Sequence, residues 1–261
     1  MPVTRSGDAD IAYQITGTGD PLLMIMGFLA DSQMWMLQTQ AFAPHFSCIT
    51  FDNRGVGSSS SPPGPYTTEQ MAADALAVLD DAGIERAHVL GISMGGAIAQ
   101  HVALKAPERV RSLILAATWC HPNQWLERIS EIGSRLSEVD PDLSGRAALL
   151  WLFTPNVFIN QPDVINTIES MMLQFQPPPD TFDKQIHGVL SHDTREQLKQ
   201  ITVPTLVLGA RRDTMVPPEL AQIVHQSIPG SRFEMLDGGH AFSAENVAEF
   251  NRVILEFLQA Q

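Results

Sequence analysis

One serine in the sequence is set up to act as a nucleophile. Ser93 stands in Gly91-Ile92-Ser93-Met94-Gly95, between the apolar run AHVLGI (87–92) and the Ala- and Gly-rich stretch MGGAIAQHVAL (94–104). The first has the length and composition of a buried strand and the second those of a helix. Gly-x-Ser-x-Gly between a strand and a helix is the pattern of a nucleophile elbow. A sharp turn there strains the serine backbone, and side chains two positions either side would collide, so those positions are small. The turn lifts Oγ clear of the sheet. It also aims the Met94 N–H and the helix N-terminus at a developing oxyanion. The competing reading is a Gly-rich helix start with Ser93 as its cap, and the strand directly before the motif argues against it.

A hydroxyl is a poor nucleophile until a base takes its proton. Of the eight histidines, His240 falls in LDGGHAF, a Gly-rich loop between the last strand-like run and the last helical one. His88 begins the strand before the elbow, at its far end, and His101 lies about two turns along the following helix, pointing away. His45, His121, His187, His192 and His225 fall on helical stretches or their ends, where surface or packing roles are usual. The base in turn needs a carboxylate to fix its tautomer and steady the imidazolium. Asp213 follows the apolar run PTLVLGA (204–210) in GARRDTMVPP. A surface pairing with Arg211 or Arg212 is its alternative role. Asp237, three residues before His240, competes for the part but is better placed to shape the turn before GGH.

These residues need a scaffold that brings them together. Residues 11–17, 21–27, 48–54, 87–92, 110–117, 204–210 and 231–236 read as strands. Helices are expected at 31–43, with Met34, Leu37 and Ala41 on one face, and at 67–82, capped by Thr67 or Thr68 and ended by Gly83. Further helices are expected at 94–105, 218–225 and 243–259. Strands apolar on both faces and alternating with helices imply a parallel sheet covered on both sides. Their C-terminal ends share one edge, where open α/β sheets bind ligands. Residues 119–200 lack a convincing strand. They hold helix-like pieces broken at Pro122, Pro141, Pro155, Pro162 and Pro177–Pro179. The expected organisation is a core of 1–118 and 201–261 with a helical cap, 119–200, over the sheet edge. Trp119, Trp125, Trp151, Met172 and Phe175 are the candidate pocket residues there. The stripe Val164, Ile168, Met171, Met172 and Phe175 reads mainly as cap core.

At 261 residues, 44% hydrophobic and 17% charged, the chain suits one α/β domain with an insertion and needs no staples. A formal charge of −13 disfavours nucleic acid as a partner. Cys48 and Cys120, the only cysteines, make neither a zinc pattern nor a disulfide framework. Cys48, in SCITFD, reads as a buried thiol. The N-terminal MPVTRSGDAD lacks a secretory pattern, and no apolar run nears the ~20 residues that span a bilayer, so a cytoplasmic location is expected. The oligomeric state, monomer or homo-oligomer, stays open.

The segments PLLMIMGF, FDNRGVGSS, GISMGGAIAQ, APERVRSLIL, VPTLVLGARRDTMVPP and DGGH together resemble the α/β-hydrolase superfamily along nearly the whole chain. The order Ser93, Asp213, His240 is also that superfamily's order. In other members the acid can follow the strand here at 110–117, but ATWCH (117–121) holds no carboxylate. The wording is most similar to the 3-oxoadipate enol-lactonase, homoserine-lactone hydrolase and methylesterase branches, and also resembles cofactor-free haloperoxidases. The resemblance implies a mostly parallel eight-stranded sheet with a helical cap. It implies a Ser-His-Asp hydrolase of carboxylic esters or lactones with no metal or organic cofactor, and the apolar side chains of the helical insertion add the expectation of a small to medium, fairly hydrophobic substrate. It further implies a second oxyanion donor, the backbone N–H of Phe28, beside that of Met94. Many members have His-Gly before that position, where this chain has Met26-Gly27. Asp52 and Arg54 in FDNRGVGSS are implied to shape a supporting turn. No basic cluster is assignable to a substrate carboxylate, which weakens the enol-lactonase branch. Serine at the elbow argues against dehalogenases and epoxide hydrolases, which place Asp there. Carbon–carbon bond hydrolysis and perhydrolysis use the same triad and stay open, as does a ligand receptor on the same fold.

Overall fold

In the computed structural model, residues 1–174, 177, 178 and 180–261 are described. The middle layer is a sheet of β1 (Val3–Ser6), β2 (Ala9–Thr16), β3 (Asp20–Ile25), β4 (Phe46–Phe51), β5 (Ala87–Ile92), β6 (Val110–Ala116), β7 (Thr205–Ala210) and β8 (Arg232–Leu236). Their order across it is β1-β2-β4-β3-β5-β6-β7-β8. β2 runs antiparallel to both β1 and β4, and every other pairing is parallel. The helices are α1 (Met36–Phe42), α2 (Thr68–Asp81), α3 (Met94–Lys105), α4 (Gln124–Val139), α5 (Pro141–Leu152), α6 (Pro155–Asn160), α7 (Pro162–Gln174), α8 (Thr181–Ser191), α9 (Pro218–Ser227), α10 (Phe242–Glu245) and α11 (Val247–Leu258). Among the described residues no helix is long and apolar enough to cross a membrane.

Strand pleating divides the core. Leu23 of β3 and Val89 of β5 pack with α2, α3 and α9 through Met71, Val78, Ile98, Val102 and Val224. Their neighbours Leu22 and Leu90 pack on the opposite face with Trp35, Phe42, Phe250 and Phe257 of α1, α11 and the turn before α1. Every residue of β5 and of β7 is buried, so the two strands that lead to Ser93 and Asp213 run through the core. As expected, Thr67 caps α2, its hydroxyl accepting the Gln70 N–H at 3.0 Å. Gly83 just beyond the helix takes a left-handed φ of +66°.

Three local expectations are corrected. β1 is an additional strand: VTRS is short and carries a single apolar residue, and its pairing with β2 is set by the turn at Gly7, φ +57°. Residues 32–42 bury Trp35, Gln38 and Phe42, while Met34 and Leu37 are exposed. The spacing is the expected one moved along by one residue. A 3₁₀ turn over Ser32–Trp35 rotates the face, and the larger aromatic rings take the interior. Residues 243–259 are not one helix. Asn246, at φ −128° and ψ 54°, separates α10 from α11. Its side-chain amide donates to Asp237 O at 3.2 Å and to Glu249 Oε2 at 2.7 Å.

Among the described residues, five α-helices, α4 to α8, lie between β6 and β7. Prolines 141, 155 and 162 start α5, α6 and α7 rather than break a helix, because a first-turn N–H needs no partner. Asn123 and Asp140 cap α4 and α5. Leu149, Phe153, Val157 and Ile165 form a small core of their own, with Ile168 and Met172 against it. The two ends of the insertion meet: the Thr194 N–H donates to Cys120 O at 2.8 Å.

Candidate active site

Ser93 joins β5 to α3 with φ +57° and ψ −124°, a conformation that side chains rarely adopt. Neighbours hold it there. Its N–H donates to Ala116 O at 2.8 Å, and its carbonyl accepts the Gly96 N–H at 2.9 Å and the Thr118 hydroxyl at 2.8 Å. The motif's glycines are required by space. A Cβ on Gly91 would stand 2.2 Å from Gly95 O, and one on Gly95 2.1 Å from Ile25 O. Gly27 brings the loop after β3 close as well, since its Cβ would lie 3.1 Å from Ser93 Cβ. Phe28 follows directly, and Met94 opens α3. The backbone at both positions named for an oxyanion therefore borders the serine.

His240 Nε2 lies 2.9 Å from Ser93 Oγ, and His240 Nδ1 lies 2.7 Å from Asp213 Oδ2. Asp213 and His240 are each 5% exposed. The other carboxylate oxygen, Asp213 Oδ1, accepts the Met215 and Val216 N–H groups at 2.9 and 2.8 Å. With its carboxylate on Nδ1, neutral His240 carries its proton there and turns the Nε2 lone pair to the serine. Such an array can move a proton off Oγ and return it to a leaving group. Asp237 is placed elsewhere: it pairs with Arg212 at 2.7 Å and accepts from Asn246.

The FDNRGVGSS turn is built around buried polar contacts. Asp52 accepts the Ser32 and Ser58 N–H groups at 2.8 and 2.7 Å. Arg54 forks onto Asp74 of α2 with two bonds of 2.7 Å, both side chains buried. The histidines set aside above lie away from Ser93. His88 bonds Ser112 Oγ at 2.8 Å, and burial lowers its pKa to about 4. His192, held between Thr68 and Gln100, is lowered by burial to about 3. Burial also raises both thiols, Cys48 and Cys120, to about 11.

The candidate pocket residues scatter. Trp119 is buried in the core beside α3, its ring edge-on to His192. Trp125, half exposed, donates its indole N–H to Thr214 O at 3.0 Å, next to Asp213. Trp151 is partly buried on α5, and Met172 packs on the small core of the insertion. Phe175 lies outside the described residues. Sequence reading missed three residues that border the site. Gln185 of α8, fully buried, accepts the Leu29 N–H at 2.9 Å and donates to Arg54 O at 2.9 Å. Thr154 and Glu245 bond to each other and meet the loop of His240. None belongs to a motif, and only contact across the fold marks them.

A family model described as the alpha/beta hydrolase fold matches residues 20–247. The chain is 38% identical over 98% of its length to a protein of Azorhizobium caulinodans named "Putative carbamate hydrolase RutD", 98% of which is covered. The enol-lactonase of Burkholderia xenovorans LB400 superposes with a TM-score of 0.90 at 26% identity, over 99% of this chain and 100% of that one. A thermophilic esterase from Thermogutta terrifontis gives 0.90 at 29% identity, over 99% and 98%. With its serine elbow, its sheet order and these likenesses, the chain belongs to the alpha/beta hydrolase fold family.

Proposed function

We propose that the protein is a serine hydrolase in which Ser93, His240 and Asp213 form the catalytic triad, acting on a carboxylic ester or lactone through an acyl-enzyme. The observation that carries this reading is the unbroken relay, 2.9 Å from Ser93 Oγ to His240 Nε2 and 2.7 Å from His240 Nδ1 to Asp213 Oδ2. Ser93 Oγ attacks the carbonyl carbon as its proton passes to Nε2. The N–H groups of Phe28 and Met94 receive the charge on the carbonyl oxygen. The alcohol leaves with the proton from His240, and a water activated by the same nitrogen releases the acid. Residues 119–200 act as a cap on a body of 1–118 and 201–261, and Trp151 and Met172 are the pocket candidates it contributes. A small to medium, fairly hydrophobic acyl or alkyl group suits such a roof.

A second reading, carbamate hydrolysis, is favoured by the full-length likeness to the Azorhizobium protein. A carbamate presents the same carbonyl to the same serine, so the proton steps are shared and only the leaving groups differ. Purified enzyme assayed side by side on aryl esters, lactones and alkyl carbamates separates the two by kcat/KM. Ser93→Ala is expected to lower turnover by at least ~10³-fold on the preferred class. Ester, lactone and carbamate turnover at the wild-type rate in that variant overturns the proposal.

A further inference from the structure

Glu245 is a buried carboxylate that the proton relay does not use. It ends α10, and its side chain is 6% exposed. Its Oε2 accepts the Gly239 N–H at 3.0 Å and the Thr154 N–H at 3.2 Å. Its Oε1 accepts the Thr154 hydroxyl, and Arg212 Nη2 stands 3.9 Å from the same oxygen. Gly239 immediately precedes His240, Arg212 immediately precedes Asp213, and Thr154 lies at the junction of α5 and α6. One carboxylate therefore touches the histidine loop, the acid loop and the inserted helices. The far side of His240 meets the same junction: the Ala241 N–H donates to Leu152 O at 2.8 Å. The fit is close, since a Cβ on Gly239 would stand 2.7 Å from Leu152 O and 3.1 Å from Thr154 N. Ala241 and Ala244 also pack against the small core of Leu149, Phe153, Val157 and Ile165.

We infer that Glu245 is a positioning residue that couples the seating of the inserted helices on the body to the placement of the His240 imidazole. The inference rests on the proposed serine-hydrolase reading and names what holds its base. Charge is costly to bury unless donors surround it, and here the donors come from both sides of the body–insertion boundary. If the α5–α6 junction lifts, Glu245 loses both Thr154 donors and Ala241 loses Leu152 O. The residues flanking His240 are then freed together. A misplacement of about 1 Å in such a base costs up to ~10²-fold in rate. A glutamine oxygen in the Oε2 place can still accept the Gly239 and Thr154 N–H groups, but its NH2 then replaces the acceptor Oε1 and faces the Thr154 hydroxyl and the Arg212 guanidinium as a donor.

The test uses Glu245→Gln, Thr154→Val, their double variant and Thr154→Ser in the full chain. Rates are normalised to active sites titrated with an organophosphonate, so misfolded material is not counted. The expected result is a kcat lowered ~10- to 100-fold in Glu245→Gln and Thr154→Val at nearly unchanged KM. The double variant is no worse than the weaker single, and Thr154→Ser, which keeps the hydroxyl, restores kcat. Wild-type kcat per titrated site in either variant overturns the coupling, as does strict additivity of the two losses. Absence of phosphonate labelling in the wild-type protein is a separate outcome: it overturns the serine-hydrolase reading on which the coupling rests.

Discussion

Asp213 spends one oxygen on His240 and the other on two backbone N–H groups, Met215 and Val216. The second pair of bonds locks the carboxylate, and the locked carboxylate selects the histidine tautomer. Asp213→Asn keeps the shape but loses that selection. On the proposed triad its kcat is expected to fall about 10⁴-fold, the loss seen when a triad carboxylate becomes an amide, with the circular dichroism spectrum unchanged. Steady-state kinetics on the preferred substrate check this. At this scale Ser93, Asp213 and His240 were legible because each follows a strand-like run at a loop whose glycines or charges have no other evident use. Gln185, Thr154 and Glu245 were not, because each needs a partner far away in sequence, Gln185 with Leu29 at a separation of 156 and Thr154 with Glu245 at 91. Trp119 shows the complementary limit: an aromatic residue near the site in sequence can as readily be core.

The elements were readable where burial is two-sided. β5 and β7 are buried throughout and mostly apolar, and a run of that kind leaves few alternatives. β1 escaped because its order comes from pairing with β2 rather than from its own side chains. The face of α1 shifted because one 3₁₀ turn precedes it. Asn246 broke the last helical run through side-chain bonds that no periodicity announces. The turn after β4 is held to α2 by the buried Arg54–Asp74 fork, with Asp8 reaching the same guanidinium at 3.2 Å. Asp74→Asn leaves a buried cation short of its main partner and is expected to destabilise by about 3 kcal/mol. Arg54→Met combined with Asp74→Leu removes both charges and is expected to lie closer to wild type. Urea denaturation at neutral pH distinguishes them. A smaller loss in Asp74→Asn than in the double variant would show that the fork contributes little.

For the molecule as a whole, acid sensitivity follows from histidines whose pKa burial lowers, His88 and His192 most strongly and His101 with them. In the unfolded chain each takes a proton near pH 6.5. In the fold His88 does so only near pH 4 and His192 near pH 3. Below pH 6.5 the unfolded state therefore binds more protons, and stability falls as pH drops from about 6.5 towards 4. The slope is about 1.4 kcal/mol per pH unit for each histidine within its window. Urea midpoints between pH 7 and pH 4.5 should show this decline, and His88→Gln should flatten it. An identical slope in that variant would remove His88 from the account. The hydrogen bond from Thr194 to Cys120 has a consequence of another kind. It staples the two ends of the five-helix excursion together, so the body sees a closed loop whatever lies inside. Closing a longer or shorter loop changes the chain entropy only slowly with length. The stretch between β6 and β7 is therefore the part that descent can lengthen, trim or exchange, while the sheet that carries the serine stays as it is. The contacts that stretch makes with the body, Thr154 with Glu245, Gln185 with Leu29 and Arg54, and Trp125 with Thr214, must be matched again each time.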